Sequence, residues 1–145
     1  MNKYGLLFFV LIFLVFASSN SLACTCFGPE NPKENLEWAD AVFSGKVISV
    51  EDGNYTFEVE RVWKGVSETQ VVIKDFYAGS SCASGFQAGE QYVIFAYTGK
   101  TDKILTVEPC TWNKRLAVAK KVFRAIGKGK PIKNSENRQA AKPNK

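Results

Sequence analysis

Hydrophobic and polar residues alternate with a period of two through the middle of the chain. The alternation covers Ala41–Val50 and Tyr55–Trp63, and residues 51–54 between them read Glu-Asp-Gly-Asn. Two alternating stretches joined by a short Gly-containing turn predict a β-hairpin. Successive side chains of a strand point to opposite faces. One face of the second strand should therefore carry the apolar residues Tyr55, Phe57, Val59 and Trp63.

Three further stretches of strand character follow along the chain. They cover Thr69–Asp75, Gln91–Tyr97 and Lys103–Val107, which brings the number of predicted strands to five. Five short strands separated by Gly-containing turns predict a small closed or nearly closed β-barrel, because closure removes exposed strand edges. The expected fold class is therefore mainly β.

The hydrophobic period changes after the last predicted strand. Between Thr111 and Gly127, apolar residues recur at spacings of three and four, which predicts an amphipathic helix. The residues of its apolar stripe are Leu116, Ala119, Val122, Phe123 and Ile126. Pro109 and Thr111 mark its start and Gly127 its end. A shorter helical turn around residues 36–39 is more weakly indicated.

The first 23 residues have the pattern of a secretory signal peptide. Lys3 precedes an apolar run of 12 residues, Leu6–Ala17, which is shorter than the roughly 20 residues of a membrane-spanning helix. Small residues before the cut favour cleavage after Ala23, which would make Cys24 the first residue of the exported chain. Cleavage after Ser19 and lipidation of Cys24 by the bacterial route are the alternatives. We expect a secreted, extracellular protein, or a periplasmic or lipid-anchored one in a bacterium.

The net charge of +5 is concentrated at the C-terminus. Residues 127–145 carry six Lys or Arg against one Glu, whereas residues 24–126 sum to −1. We expect one monomeric domain over residues 24–127, followed by a basic disordered tail at 128–145. Such a tail suits contact with anionic surfaces or matrix polymers. The near-neutral body argues against a nucleic-acid partner.

Four cysteines in an exported chain of this size predict two disulfides. Four cysteines allow three pairings, and a Cys24–Cys26 bridge would close a strained ring across one residue. Each of these two cysteines should therefore pair with Cys82 or Cys110. Each bridge would close a long loop and stabilise the fold by about 4 kcal/mol on the chain-entropy model.

Several kinds of chemistry are disfavoured by the residue content. The chain contains no histidine, which excludes Ser-His and Cys-His catalytic sites and histidine-based metal sites. The Cys24-Thr25-Cys26 spacing is too tight for the usual zinc-binding cysteine pairs. We therefore expect neither an enzyme nor a bound cofactor. Asn54-Tyr55-Thr56 fits the glycosylation pattern, but its place in the hairpin turn already explains Asn54.

The matches to a known family lie at five places between residues 24 and 127. They are Cys24-Thr25-Cys26 after the signal peptide, the strand sequence of residues 39–47, Ser80-Ser81-Cys82, the segment 86–94, and Cys110-Thr111-Trp112. In these features the chain resembles the N-terminal domain of the tissue inhibitors of metalloproteinases, within the netrin-like group. The resemblance implies a five-stranded OB-like barrel with a C-terminal helix. It also implies two disulfides, Cys24–Cys82 and Cys26–Cys110.

The resemblance further implies a secreted inhibitor whose partner is a zinc metalloprotease. The free α-amino nitrogen and carbonyl oxygen of Cys24 would chelate the catalytic zinc of that protease. Thr25 would enter its specificity pocket. The complete set of implied contact residues is Cys24, Thr25, Cys26, Ser80, Ser81 and Ala83.

Two departures from the animal inhibitors keep other functions open. The chain lacks the third disulfide of their inhibitory domain, and the basic tail stands in place of their cysteine-rich C-terminal subdomain. A non-inhibitory netrin-like interaction module is the main alternative, with the Cys24-Thr25-Cys26 segment serving only to staple the chain end. A membrane-anchored lipoprotein is a more distant one.

Overall fold

The computed structural model describes residue 24, residues 26–100 and residues 102–132. The signal-peptide region, Thr25 and the tail beyond Ile132 lie outside the described residues. In this part of the chain there are two short α-helices, α1 (Pro32–Trp38) and α2 (Lys120–Ile126), and a 3-10 helix at Leu116–Val118. The strands are β1 (Ala41–Glu51), β2 (Asn54–Lys64), β3 (Gln70–Lys74), β4 (Gln91–Thr98), β5 (Leu105–Thr106), β6 (Lys114–Arg115) and β7 (Lys130–Pro131).

Strands β1 to β5 form a closed, mixed barrel in the order β1-β2-β3-β5-β4. The barrel closes because the long strand β1 pairs antiparallel with β2 on one side and with β4 on the other. The β3–β5 contact is parallel and joins Lys74 to Thr106. The predicted mainly β, OB-like barrel with a helix after it and two disulfides is confirmed.

The barrel interior is filled by large apolar side chains. Phe43 on β1 and Phe57 on β2 are both 0% exposed, and their rings meet edge to face at 5.5 Å. Phe86 joins the same group from the loop after β3, with its ring 5.7 Å from that of Phe57. A second apolar cluster lies outside the barrel, where Val42 and Phe95 pack against Val122 of α2.

The prediction that Trp63 faces the same way as Tyr55, Phe57 and Val59 is wrong. The β1–β2 register shifts between the pairs Gly45↔Val59 and Ser44↔Arg61, where β2 carries one extra residue. Such a β-bulge reverses the alternation of faces along a strand. Trp63 therefore packs in the outer cluster, whereas Tyr55, Phe57 and Val59 lie in the interior.

The predicted helix at residues 111–127 is too long at its start. Its first part forms strand β6 and the 3-10 helix, and α2 begins only at Lys120. The Asn113 carboxamide accepts a hydrogen bond from the Phe95 amide at 2.7 Å, which draws this segment onto the edge of β4. The predicted apolar stripe is confirmed, since all five of its residues belong to the outer cluster.

The other element boundaries shift by smaller amounts. The predicted strand at 103–107 is reduced to Leu105–Thr106, and the weak helical turn at 36–39 belongs to the longer helix α1. Residues 128–132, assigned from the sequence to the tail, belong to the fold, since β7 pairs with β2 and Ile132 packs on the barrel core. Neither described helix is long and apolar enough to cross a membrane.

Candidate functional site

Two disulfides fix the start of the described chain to the barrel. They join Cys24 to Cys82 and Cys26 to Cys110, with Cα–Cα distances of 5.9 and 5.3 Å. This confirms the pairing implied by the family resemblance. We call residues 24–31 the N-terminal arm. Its two cysteines are exposed, yet each is anchored to a different loop, so the arm is held at two points.

Beyond the second disulfide, the arm lies closely against the segment that carries Cys110. A Cβ atom at Gly28 would overlap the carbonyl oxygen of Cys110, so this approach requires glycine. Pro29 is buried, and its carbonyl oxygen accepts a hydrogen bond from the indole Nε1 of Trp112 at 3.0 Å. These contacts set the direction in which the arm leaves the barrel.

A buried asparagine connects the base of the arm to the barrel. Asn35 of α1 is 0% exposed, and its Oδ1 accepts a hydrogen bond from the Trp112 backbone amide at 2.9 Å. Its Nδ2 donates to the phenol oxygen of Tyr97. Burial raises the pKa of Tyr97, and the negative charges of Glu108 and Asp40 raise it further, against the opposing effect of the Asn35 hydrogen bond. The phenol is therefore protonated at neutral pH.

The loop that receives the first disulfide is held by a buried carboxylate. Asp75 is 4% exposed, and its two oxygens accept hydrogen bonds from the amides of Tyr77 (2.8 Å) and Ser84 (2.7 Å). The Ser80 hydroxyl donates to the Tyr77 carbonyl at 2.7 Å and accepts from the Cys82 amide at 3.1 Å. Hydrogen bonds within the loop therefore fix the conformation that presents Cys82.

The structure brings most of the predicted contact residues to one place. Ser80 and Ser81 are exposed and Ala83 is half-buried on either side of Cys82, and the disulfide carries Cys24 to the same loop. The Ser80 hydroxyl accepts a hydrogen bond from the Cys82 amide, so the Ser80 side chain stabilises the conformation of the loop. Thr25 lies outside the described residues.

Sequence reasoning missed an aromatic groove beside the arm. The groove has a volume of about 320 Å³, and Phe27, Trp38 and Tyr77 contribute to its lining. Phe27 is 96% exposed and Trp38 57% exposed, so their apolar surface is open to a partner. Phe27 follows Cys26 directly and belongs to no periodic element, which was the available signal in the sequence.

The groups that the site can offer are backbone atoms, hydroxyls and apolar rings. Among residues 24, 26–100 and 102–132, no three His, Cys, Asp or Glu side chains form a group that could hold a metal ion. The four cysteine thiols are all consumed in disulfides. A partner would therefore meet an exposed segment that is held by two disulfides and flanked by a short loop and an aromatic groove.

The sequence was also compared with known proteins. It matches no protein-family model and no curated protein. The fold and the geometry of the N-terminal arm are therefore the basis for a functional conclusion.

Proposed function

We propose that this protein is a secreted inhibitor of zinc metalloendopeptidases that acts through the first residue of its exported form. Removal of residues 1–23 would leave Cys24 with a free α-amino group. Its amine nitrogen and carbonyl oxygen can close a five-membered chelate on the catalytic zinc of a protease. The chelate fills the position at which that zinc activates water.

The observation that supports this proposal is the double anchoring of the exposed segment that contains Cys24 and Cys26. Cys24 and Cys26 are exposed but are tied to two separate loops. A chelating group that is already fixed loses little conformational freedom on binding, which lowers the ordering cost of association. An ordinary flexible N-terminus lacks this advantage.

The chemistry of an α-amine suits this use. Its reference pKa is about 8, so a zinc ion readily displaces the proton and binds the neutral nitrogen. A lysine amine, with a reference pKa of about 10.4, holds its proton more strongly. Position and basicity therefore both favour the chain terminus over the lysine side chains of this protein.

The surroundings of Cys24 suit contact with the rim of a protease cleft. Thr25 would enter the pocket next to the zinc, and Ser80, Ser81 and Ala83 would form the adjoining ridge. Phe27 adds an exposed ring on the other side of Cys26. Apolar rings near the centre of an interface commonly account for much of its binding energy.

Adding one residue to the terminus provides the direct test. The chain is exported from a host that cleaves the signal peptide, and intact mass together with N-terminal sequencing identifies its first residue. Inserting one Ala before Cys24 should lower affinity for a sensitive zinc endopeptidase at least about 30-fold, the loss expected for a hot-spot group of about 2 kcal/mol. A variant with one Ala added after Lys145 is the matched control. Equal inhibition by both variants would show that Cys24 does not chelate zinc.

A second candidate function is a netrin-like protein-interaction module without inhibitory activity. The exposure of Phe27 and Trp38 around the groove favours it. In that case the added Ala should be harmless, whereas Phe27→Ala should abolish partner binding. N-terminal analysis also addresses the lipoprotein alternative, because an acylated Cys24 would have a larger mass and no free amine.

A further inference from the structure

Charge is strongly segregated along the folded part of this chain. Residues 24–108 carry seven Lys or Arg against thirteen Asp or Glu, whereas residues 109–132 carry seven Lys or Arg and no acidic residue. The near-neutral total therefore conceals an acidic part and a basic part. The basic part is the C-terminal segment that packs on the outside of the barrel.

The fold places six basic residues on connected elements. Three lie on helix α2, two on the segment that follows it and one on the adjoining strand β2. We call this set the basic face: Arg61, Lys120, Lys121, Arg124, Lys128 and Lys130. The buried residues of the same region, Ala119 and Val122, belong to the outer cluster, whereas all six basic residues are exposed.

The segment after α2 is fixed against β2. The Trp63 indole donates to the Gly127 carbonyl at 3.2 Å, and the Arg61 guanidinium donates to the Lys128 carbonyl at the same distance. Gly129 lies so close to the Trp63 ring that an added Cβ would come within 2.8 Å of it. Strand pairing then sets Lys130 opposite Val62. The basic face is thus a defined surface, independent of the tail beyond Ile132.

In the described part of the chain, none of the six basic side chains of this face forms an ion pair with a carboxylate. Within the described part of the chain, the one ion pair joins Arg115 to Glu90 at 3.9 Å. Helix α1, which packs against α2, contributes Glu34 and Glu37, but Glu34 caps its own helix by accepting from the Glu30 amide. Exposed basic side chains that lack carboxylate partners create a positive field that attracts a polyanion.

Two features of the face favour a polysaccharide over other polyanions. The apolar residues of α2 are packed against the barrel, so the helix has no free apolar face to insert into a bilayer. The nearby aromatic rings are also occupied: Trp63 stacks on Phe123, and the Lys121 ammonium lies 5.2 Å from the Trp112 ring centre. Trp63 and Trp112, the rings next to the basic residues, are therefore not free to stack with the bases of a nucleic acid.

We propose that the basic face binds a linear anionic polysaccharide through its sulfate or carboxylate groups. Arginine guanidinium groups pair with such anions in two-point geometry and lysine ammonium groups act as mobile point charges. This function is separate from the proposed chelation at Cys24 and would retain the exported protein at a matrix or cell surface.

Dextran sulfate is the probe, and neutral dextran is its uncharged counterpart. The exported full-length chain should bind dextran sulfate, ignore dextran and lose affinity at least about tenfold between 50 and 200 mM salt. Lys120→Gln/Arg124→Gln should weaken binding about tenfold or more. Lys100→Gln/Lys103→Gln removes the same charge from another loop and should have little effect. Equal losses for the two pairs would overturn the proposal.

The contributions of the tail and of other polyanions are separated in the same assay. A chain ending at Ile132 should still bind dextran sulfate, and the Lys120/Arg124 substitutions should weaken that chain too. Binding that disappears with the tail would refute a site on the folded face. Tighter binding to phosphatidylglycerol vesicles or duplex DNA at equal salt would refute a polysaccharide occupant. If the first pair of substitutions unfolds the protein, Lys128→Gln/Lys130→Gln tests the same face from the segment that follows α2.

Discussion

The barrel interior and the N-terminal arm are stabilised in opposite ways. In the interior, Phe43, Phe57 and Ile73 are completely buried, and many apolar contacts share the stabilisation. In the arm, Pro29 is the one buried residue among the described positions 24–30. The arm depends on two covalent bonds and on a few hydrogen bonds around Trp112.

This contrast indicates that the fold and the proposed function can be damaged separately. Loss of one interior ring affects the whole molecule, because a small barrel has a single cooperative core. Loss of one anchor of the arm should change the position of Cys24 while the barrel persists. Four variants test this difference, beginning with the one of largest expected effect.

Truncation of Phe57 should cause the largest loss of stability. Its ring packs against Phe43 and Phe86, and Phe57→Ala would leave a cavity that costs about 3–5 kcal/mol. Equilibrium denaturation by urea measures this loss. Val72→Ala on β3 is the control, because Val72 is 51% exposed and should change stability by less than about 0.5 kcal/mol. Similar losses at both sites would contradict a core centred on Phe57.

Removal of the second disulfide should release the arm but retain the barrel. Cys26→Ser/Cys110→Ser should lower the free energy of unfolding by about 2–5 kcal/mol, mainly because the unfolded chain becomes less constrained. Limited proteolysis should then cut near Phe27, while hydrogen exchange continues to protect the β1 and β4 amides. If those amides lose protection as well, the barrel depends on the arm, and the two regions are not stabilised separately.

The hairpin of the barrel was predictable because the signals for its strands and turn lie close together in the sequence. Alternation along β1 and β2, with Gly53 in the turn between them, determines both strands and their pairing. The bulge that turns Trp63 outward was not predictable, because the extra residue on β2 is evident only from the register of its pairing with β1. The start of α2 was misplaced for a similar reason, since Asn113 bonds to Phe95, a residue distant in sequence.

The candidate site was predictable in its cysteines and in the residues next to Cys82, but not in the groove or in the buried groups that support it. A family resemblance supplied the disulfide pairing, which composition alone left open. Asn35 and Asp75 gave no signal, because a polar residue in a short helix or after a strand is ordinarily exposed. Their importance comes from burial and from partners far along the chain, such as Trp112 for Asn35. Helix α1 did have a local signal, an Asn31 cap followed by Pro32.

Asn35→Ala should have a smaller effect that falls mainly on the arm. The substitution leaves the Trp112 amide and the Tyr97 hydroxyl without their buried partner, which costs about 1–3 kcal/mol. Thermal or urea unfolding measures this cost, and weaker inhibition at unchanged N-terminal mass would show the displacement of Cys24. Asn54→Ala in the hairpin turn is the matched control. A loss at Asn54 equal to that at Asn35 would contradict the anchoring role.

The smallest effect concerns Tyr97 at alkaline pH. Burial raises the pKa of Tyr97 in the folded chain, so the folded state holds this proton more tightly than the unfolded state does. The contribution of Tyr97 to the free energy of unfolding is therefore complete below about pH 10. It is lost as the pH rises above about 10, where tyrosine in the unfolded chain ionises. Tyr97→Phe lowers stability at pH 7 because its hydrogen bond with Asn35 is lost, but its stability should then fall less steeply between pH 9 and 11. Urea titrations across this range measure both slopes. Parallel slopes would mean that Tyr97 does not couple ionisation to unfolding, and that the base of the arm is wetter than its contacts with Asn35 indicate.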